Sequence, residues 1–297
     1  MDFEAAKSFV QEKLGVEYVS EKVTLLQKIV RAFSEKLPFQ NISVSILDAG
    51  ARFPTEENVI SVGKSLSGGV CIHNNWFMKI LLQALGYNVY FVAGYSTESQ
   101  KKTLGSHIGI VVKNLTNAND LHLIDVGSRY PLFKPVPLNS LPYEATDVTL
   151  TYRFVEENGQ WHREHKNGTF SKYTRYITYD KSLRSSVNDF RIAMEEVLQE
   201  NWLIGTVLAV RYLQPNSKDI PGVPDFHPQY DYMAEYSNRT ITFENSTGYK
   251  YTERVGSDQI EFTVRQYFPS IPKEDVAKRV AAIQEEPDRP WYQCRML

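Results

Sequence analysis

Ser67-Gly68-Gly69-Val70-Cys71-Ile72-His73-Asn74-Asn75 opens the helix around which this 297-residue chain is organised. Gly68 and Gly69 supply the conformational freedom that a tight turn needs. Behind them Val70, Asn74, Phe77, Met78, Leu81, Leu82 and Leu85 recur at helical spacing, and Gly86 is placed to end the run. Cys71 falls in the first turn. Unpaired backbone N–H groups and the positive end of the helix dipole favour a thiolate there. The stretch therefore points to a nucleophilic sulfur, against the plainer reading of cysteine as a small buried hydrophobe.

Composition narrows the field. The chain is 42% hydrophobic and 23% charged, as an ordinary soluble globular protein is. Its 33 basic and 35 acidic residues are well mixed and leave a formal charge of −2. Without a basic stripe, nucleic acid is not an expected partner. Cys71 and Cys294 are the two cysteines, too few for a disulfide framework. Met1-Asp2-Phe3-Glu4 lacks the basic and apolar regions of a signal peptide, and no apolar run approaches the roughly 20 residues that span a bilayer. The expectation is a cytoplasmic protein without a membrane partner.

Residues 21 to 37 place Leu25, Leu26, Ile29, Val30, Phe33 and Leu37 on one helical face before Pro38 stops them. A short helix is expected in the fifties. After Gly86 the texture changes to strand formers: Asn88 to Ala93, His107 to Val112 and Leu121 to Val126. Connections of hairpin length imply an antiparallel sheet or barrel. Asn158-Gly159 signals another hairpin, between Leu150 to Val155 and Gln160 to His165. A helix is expected over Val187 to Trp202. Gln214 to Tyr232, with four prolines, reads as a long loop. Strands follow at Thr240 to Phe243, Tyr249 to Arg254 and Ile260 to Val264, then a helix over Lys273 to Ile283 behind Pro272. The fold class is α+β.

A nucleophilic cysteine needs a base and a group to orient that base. His73 lies two residues along the helix, about 200° round from the sulfur. His162 and His165 are three apart on one strand, so they face opposite ways and do not pair on a metal. No metal site is expected. His227, in the proline-rich loop, stays open. His107 and His122 are each close to Asp125, a lone acid between Ile124 and Val126 whose burial demands a partner. His122 faces the other side of the sheet from Asp125. His107 can lie opposite or diagonal to it across a hairpin pair. Cys71, His107 and Asp125 are therefore the best set, beside the alternative of a buried His–Asp pair with an inert thiol.

Taken in order, these segments resemble the arylamine N-acetyltransferase family. Pro38-Phe39-Gln40-Asn41 resembles its Pro-Phe-Glu-Asn element. Gly68-Gly69-Val70-Cys71 resembles its Arg-Gly-Gly-x-Cys motif, Ser106-His107 its histidine element, and Leu123-Ile124-Asp125-Val126-Gly127 its aspartate element. The resemblance implies a papain-like cysteine-transferase fold. Residues 1–87 would form a helical bundle carrying the nucleophile, 88–186 a β-barrel carrying His107 and Asp125, and 187–297 an interdomain helix, a long loop and an α/β lid. It also implies an acetyl group carried from acetyl-CoA to an arylamine, arylhydrazine or arylhydroxylamine through an acyl-cysteine, with ping-pong kinetics and no permanently bound cofactor. Thr103, Gly105 and Ser106 would meet the CoA pyrophosphate. Phe39, Val70, Ser128 and Arg129 would line the acceptor pocket.

The chain departs from that pattern in places. Ser67 stands where the family usually has Arg, and His73 where it usually has Glu or Gln. Arg129, if it faces the pocket, would favour an anionic group, either a malonyl donor or a carboxylated acceptor. The alternatives are a malonyl-CoA-preferring relative, a cysteine hydrolase or transglutaminase-type enzyme, and a weakly active or non-catalytic homologue that binds CoA or aromatic ligands.

Overall fold

The apolar spacing in the first third builds helices around one another. In the computed structural model, which describes residues 1–97, 99, 102–166, 172–214, 231–237 and 239–284, these are α1 (Phe3–Ser8), α2 (Lys22–Lys36), α3 (Ile42–Ser45), α4 (Glu56–Lys64) and α5 (Cys71–Ala84). A two-residue strand, β1 (Phe39–Gln40), interrupts them. Helix α5 is buried on nearly every side, and Ile72, Phe77, Met78, Leu81 and Leu82 are all fully buried. A helix with that pattern belongs at the centre of the fold. Each such side chain contributes roughly 1.5–3 kcal/mol on leaving water, so the position of Cys71 is fixed by the core behind it.

The strand-forming middle third makes an eight-stranded antiparallel, barrel-like sheet. Its strands are β2 (Asn88–Ser96), β3 (His107–Lys113), β4 (Leu121–Ile124), β5 (Val136–Pro137), β6 (Tyr143–Thr146), β7 (Thr151–Glu157), β8 (Gln160–Lys166) and β9 (Tyr173–Arg184). They run in the order β5-β4-β3-β2-β9-β8-β7-β6. Asn158 and Gly159 turn the β7–β8 hairpin with φ of 51° and 74°, as a type I′ turn requires. Helix α5 packs on β2 and β3.

The last third carries α6 (Arg191–Val197), α7 (Asn201–Ile204), β10 (Leu208–Leu213), β11 (Tyr232–Ser237), β12 (Thr240–Glu244), β13 (Lys250–Arg254), α8 (Ile260–Tyr267) and α9 (Lys273–Gln284). These strands form a second antiparallel sheet, ordered β1-β10-β11-β12-β13. Strand β1 therefore joins the N-terminal helices to the C-terminal sheet, with Phe39 opposite Val210. Buried Asn41 reinforces the joint: its Nδ2 donates to the Leu203 carbonyl (2.7 Å) and its Oδ1 accepts from the Leu208 N–H (2.8 Å).

Two expectations need correction. The strand expected over Ile260 to Val264 is helix α8. A period of two would bury Phe262 with Ile260 and Val264, but Phe262 is 65% exposed, whereas Ile260, Val264 and Phe268 at helical spacing are fully buried. The helix expected over Val187 to Trp202 is broken into a 3-10 turn at Val187–Phe190, then α6 and α7. Strands β5, β6, β9, β10 and β11 have no counterpart in the sequence reading. His227, Cys294 and most of the proline-rich loop lie outside the described residues. Among the described residues no helix is long and apolar enough to cross a membrane.

Candidate active site

The turn before the nucleophile is held by β1. Gly68 has φ of +66°, and a Cβ there would come within 2.0 Å of the Pro38 carbonyl oxygen, so the tight approach requires glycine. Fully buried Gln40 donates through Nε2 to the Gly68 carbonyl (3.2 Å), and its backbone N–H donates to the Gly69 carbonyl (3.1 Å). Val70 then takes the N-cap position in extended conformation and α5 begins at Cys71. The His73 N–H donates to the Val70 carbonyl (3.0 Å), whereas the Cys71 and Ile72 N–H groups precede any intrahelical acceptor. Cys71 is a free thiol, 8% exposed.

His107 opens β3, opposite Gly94 of β2. The β3–β4 register, with Ile110 opposite Ile124, puts Asp125 diagonally across from it. The imidazole Nε2 meets Asp125 Oδ2 at 2.9 Å. The Cys71 thiol lines the same cavity as the ring and helps to raise its pKa. With Nε2 committed to the carboxylate, Nδ1 is the nitrogen left to meet the sulfur.

Asp125 has no exposed surface and accepts four hydrogen bonds. Besides His107, Oδ2 receives the Tyr179 hydroxyl at 2.7 Å. Oδ1 receives Asn75 Nδ2 at 2.8 Å and the Gly127 N–H at 3.1 Å. Asn75 lies one helical turn beyond Cys71, and its Oδ1 accepts from the Val126 N–H (2.9 Å). The side chain that steadies the carboxylate thus also ties the nucleophile helix to the sheet. Gly127 completes the joint: a Cβ there would sit 2.8 Å from the Cys71 Cα and 2.5 Å from Asn75 Nδ2.

The electrostatics follow from burial and pairing. Burial alone would lower the pKa of His107. The Asp125 charge and the hydrogen bonds to Asp125 and Cys71 outweigh it and push the pKa up to about 10. Burial works to raise Asp125, but the His107 charge, the hydrogen bonds from His107 and Asn75 and the more distant Arg163 hold it well below the usual carboxylate range. The carboxylate thus favours the protonated form of His107, which biases a proton from the neighbouring thiol toward the imidazole.

The other described histidines stand apart from this set. His73 is buried in α5, with burial pulling its pKa down to about 4. His122 has Nδ1 3.9 Å from Asp120. His162 is bonded to Thr178 Oγ1 (3.0 Å), and His165 is stacked on Tyr176 with centroids 4.1 Å apart. Among the described residues no cluster of three or more His, Cys, Asp or Glu could hold a metal ion.

Cys71 and His107 open into a cavity of about 100 Å³. Phe39, Val70, Ser128 and Arg129 line it, as does Ser106, whose buried hydroxyl has no hydrogen-bond partner among the described residues. Thr103 and Gly105 do not line it. They shape the turn beside it, with the Ser106 N–H donating to the Thr103 carbonyl (3.0 Å) and the Gly105 N–H to the Gly94 carbonyl (2.9 Å). Arg129 faces the cavity, and Glu235 of β11 engages its guanidinium through Nε and Nη2, both at 2.7 Å.

Sequence reasoning overlooks Asn75, Tyr179, Arg163 and Glu235. For Asn75 there is a signal, since a polar residue four after Cys71 shares its helical face. Arg163 sits in His162-Arg163-Glu164-His165, which reads as a solvated strand, yet it is 1% exposed. Its Nη1 donates to the Tyr130 carbonyl at 2.6 Å, and its guanidinium lies 5.0 Å from the Tyr152 ring centroid and 5.6 Å from that of Tyr176.

Comparison with known proteins adds three findings. Residues 22–201 match a family model described as N-acetyltransferase. The chain is 24% identical over 163 residues to the pineal gland isozyme NAT-3 of arylamine N-acetyltransferase from Gallus gallus, covering 52% of this chain and 54% of that protein. It spans about half the length of the curated relatives it matches. The fold superposes on the arylamine N-acetyltransferase of Mycobacterium abscessus with a TM-score of 0.75 at 16% identity, covering 96% of this chain and 95% of that one. It also superposes on the Mycobacterium marinum enzyme in complex with CoA, with a TM-score of 0.73 at 13% identity, covering 93% and 99%.

Proposed function

The chain belongs to the arylamine N-acetyltransferase family, and from that premise we propose that it transfers an acetyl group from acetyl-CoA to the nitrogen of a small aromatic amine through an acetyl-Cys71 intermediate. One observation carries the reading: His107 is held between the Cys71 thiol and the buried Asp125 carboxylate, at the wall of a cavity.

The steps follow from that geometry. His107 takes the thiol proton through Nδ1 and becomes the imidazolium that Asp125 stabilises. The Cys71 thiolate attacks the thioester carbonyl of acetyl-CoA. The oxyanion forms at the start of α5, where backbone N–H groups without helical acceptors face developing negative charge. Collapse of the intermediate expels the CoA thiolate, which takes the proton from His107. An aromatic amine then attacks the acetyl carbon, His107 accepts its proton, and Cys71 leaves as thiolate. The amide departs and the enzyme is restored.

Phe39 and Val70 supply apolar contact for an aryl ring, and Ser106 supplies a hydroxyl beside the thioester. Pairing of Arg129 with Glu235 favours an acetyl donor over a malonyl one. The test is direct. Mixing the protein with acetyl-CoA should add one acetyl group to Cys71 by intact mass and peptide mapping, and an arylamine should remove it. An unmodified Cys71, or the same modification in a C71A variant, would overturn the proposal.

A further inference from the structure

The wall of the cavity contains a charge pair that chemistry at Cys71 does not use. Arg129 follows the Asp125-Val126-Gly127 turn and lines the cavity with Cys71 and His107. Behind it, on the C-terminal sheet, stands Glu235, 7% exposed. The guanidinium presents Nε and Nη2 to the two carboxylate oxygens at 2.7 Å each, the parallel fork that is the strongest form of this pair. The backbone of Arg129 is held as well, because the Tyr212 hydroxyl donates to its carbonyl at 2.9 Å. Ser128 Oγ and Arg163 Nη1 both donate to the next carbonyl, that of Tyr130, each at 2.6 Å. The backbone that carries Arg129 is thus pinned from both sheets.

We infer that Glu235 is a specificity-determining residue: by occupying the guanidinium fork it makes this cavity select neutral aromatic amines over aromatic amines bearing a carboxylate. The inference rests on the reading of the cavity as the amine site. A carboxylate on the ring would have to displace Glu235 from Arg129, leaving a buried anion unpaired, or enter beside Glu235 and meet like charge across a short gap in a poorly solvated wall. A neutral ring faces neither cost. Without Glu235, the same guanidinium would be a bidentate receptor for an aryl carboxylate. Selectivity is therefore set by the residue behind the wall and not by Arg129 alone.

Two probes that share the ring and the amine and differ in charge, with one added methyl group, test this: 4-aminobenzoate and its methyl ester. Calorimetric titration of the resting protein measures their binding without any turnover. The wild type should bind the ester more tightly. E235Q keeps the side-chain shape and removes the charge, and should move the ratio of the two affinities toward the acid by about tenfold or more. The double variant R129Q/E235Q should lose that gain. Unchanged ratios in E235Q, or a gain that persists in R129Q/E235Q, would overturn the inference. If neither probe binds wild type or E235Q, the inference falls together with the amine reading of the cavity. Acetylation of Cys71 by acetyl-CoA, measured on the same samples, then shows whether the proposed chemistry stands without it.

Discussion

Replacing Asp125 by Asn changes charge with almost no change in shape, and the hydrogen bonds define its consequences. Oδ1 must stay an acceptor, since Asn75 Nδ2 and the Gly127 N–H both donate to it. The new amide NH₂ therefore takes the place of Oδ2 and faces His107 Nε2 and the Tyr179 hydroxyl. Tyr179 can turn its proton away, but His107 must present Nε2 as an acceptor and carry its proton on Nδ1, toward Cys71. In that tautomer it cannot take the thiol proton. Neutralising the orienting carboxylate of such a set costs roughly 10³–10⁴ in rate, which is the expected loss in acetylation of Cys71 followed by rapid-quench mass spectrometry. Stability carries a second signature. The His107 pKa rises from 6.5 to about 10, which corresponds to a ceiling of roughly 5 kcal/mol of ion-pair stabilisation, the same attraction also acting on Asp125. A group whose pKa is raised on folding contributes fully below its unfolded value and loses the contribution as pH rises through the folded value. The stability advantage of wild type over D125N should thus be largest near pH 6, at about 3–5 kcal/mol, and shrink steadily toward pH 10. Urea unfolding across that range measures it. An advantage that does not shrink between pH 6 and pH 10, or a D125N variant acetylated at the wild-type rate, would refute the charge-pair reasoning.

Other substitutions test the support around that pair. Tyr179→Phe removes one of two donors on Asp125 Oδ2 and should cost about 1.5–3 kcal/mol in unfolding free energy, with a slower acetylation step that is read from the same quench experiment. Gly127→Ala would drive a methyl group against the Cys71 backbone and Asn75. It should lower stability by about 1–3 kcal/mol and slow Cys71 acetylation in proportion to how far the loop moves. Arg163→Met strips the Tyr130 carbonyl of a buried donor and should cost about 1–3 kcal/mol. Because Tyr130 follows the loop carrying Ser128 and Arg129, its steady-state effect should fall on the KM for the amine more than on acetylation of Cys71.

Helix α5 was legible because its core face obeys one period, and the spacing foretold Val70 to Gly86 where the helix runs Cys71–Ala84. Strands β2, β3 and β4 were legible for a similar reason, as short runs of β-branched residues between turn signals. The diagonal of His107 and Asp125 followed from adjacent strands alone. Contacts between distant segments were not legible. Tyr179 reaches Asp125 across 54 residues and Glu235 reaches Arg129 across 106, and no local pattern encodes either meeting. Arg163 was hidden by its own chemistry: the ring faces of Tyr152 and Tyr176, a carbonyl and the charges of the buried Asp147 and Asp125 make its burial tolerable. Ile260 to Val264 shows the opposite failure, where the segment satisfies two periods and the packing of Phe268 decides between them.

The departures at Ser67 and His73 raised the question of how a thiolate would be held without the charges expected near it. Gln40 answers part of it, since its amide donates to the Gly68 carbonyl and its backbone to the Gly69 carbonyl, so the turn keeps its shape through neutral hydrogen bonds. Ser67 turns its hydroxyl to the Val62 carbonyl at 3.2 Å. His73, with its pKa brought down to about 4 by burial, carries no charge near neutrality. Neither residue therefore supplies a positive charge to a Cys71 thiolate. That task falls to the helix start and to the imidazolium that Asp125 holds, a pair 6% and 0% exposed. Salt screens exposed charges within about 10 Å at 0.1 M but acts weakly on buried ones. With acetyl-CoA saturating, the first-order rate of Cys71 acetylation should change less than about twofold between 0.05 and 1 M sodium chloride. A steep fall would mean that an exposed cation, not the buried pair, balances the sulfur.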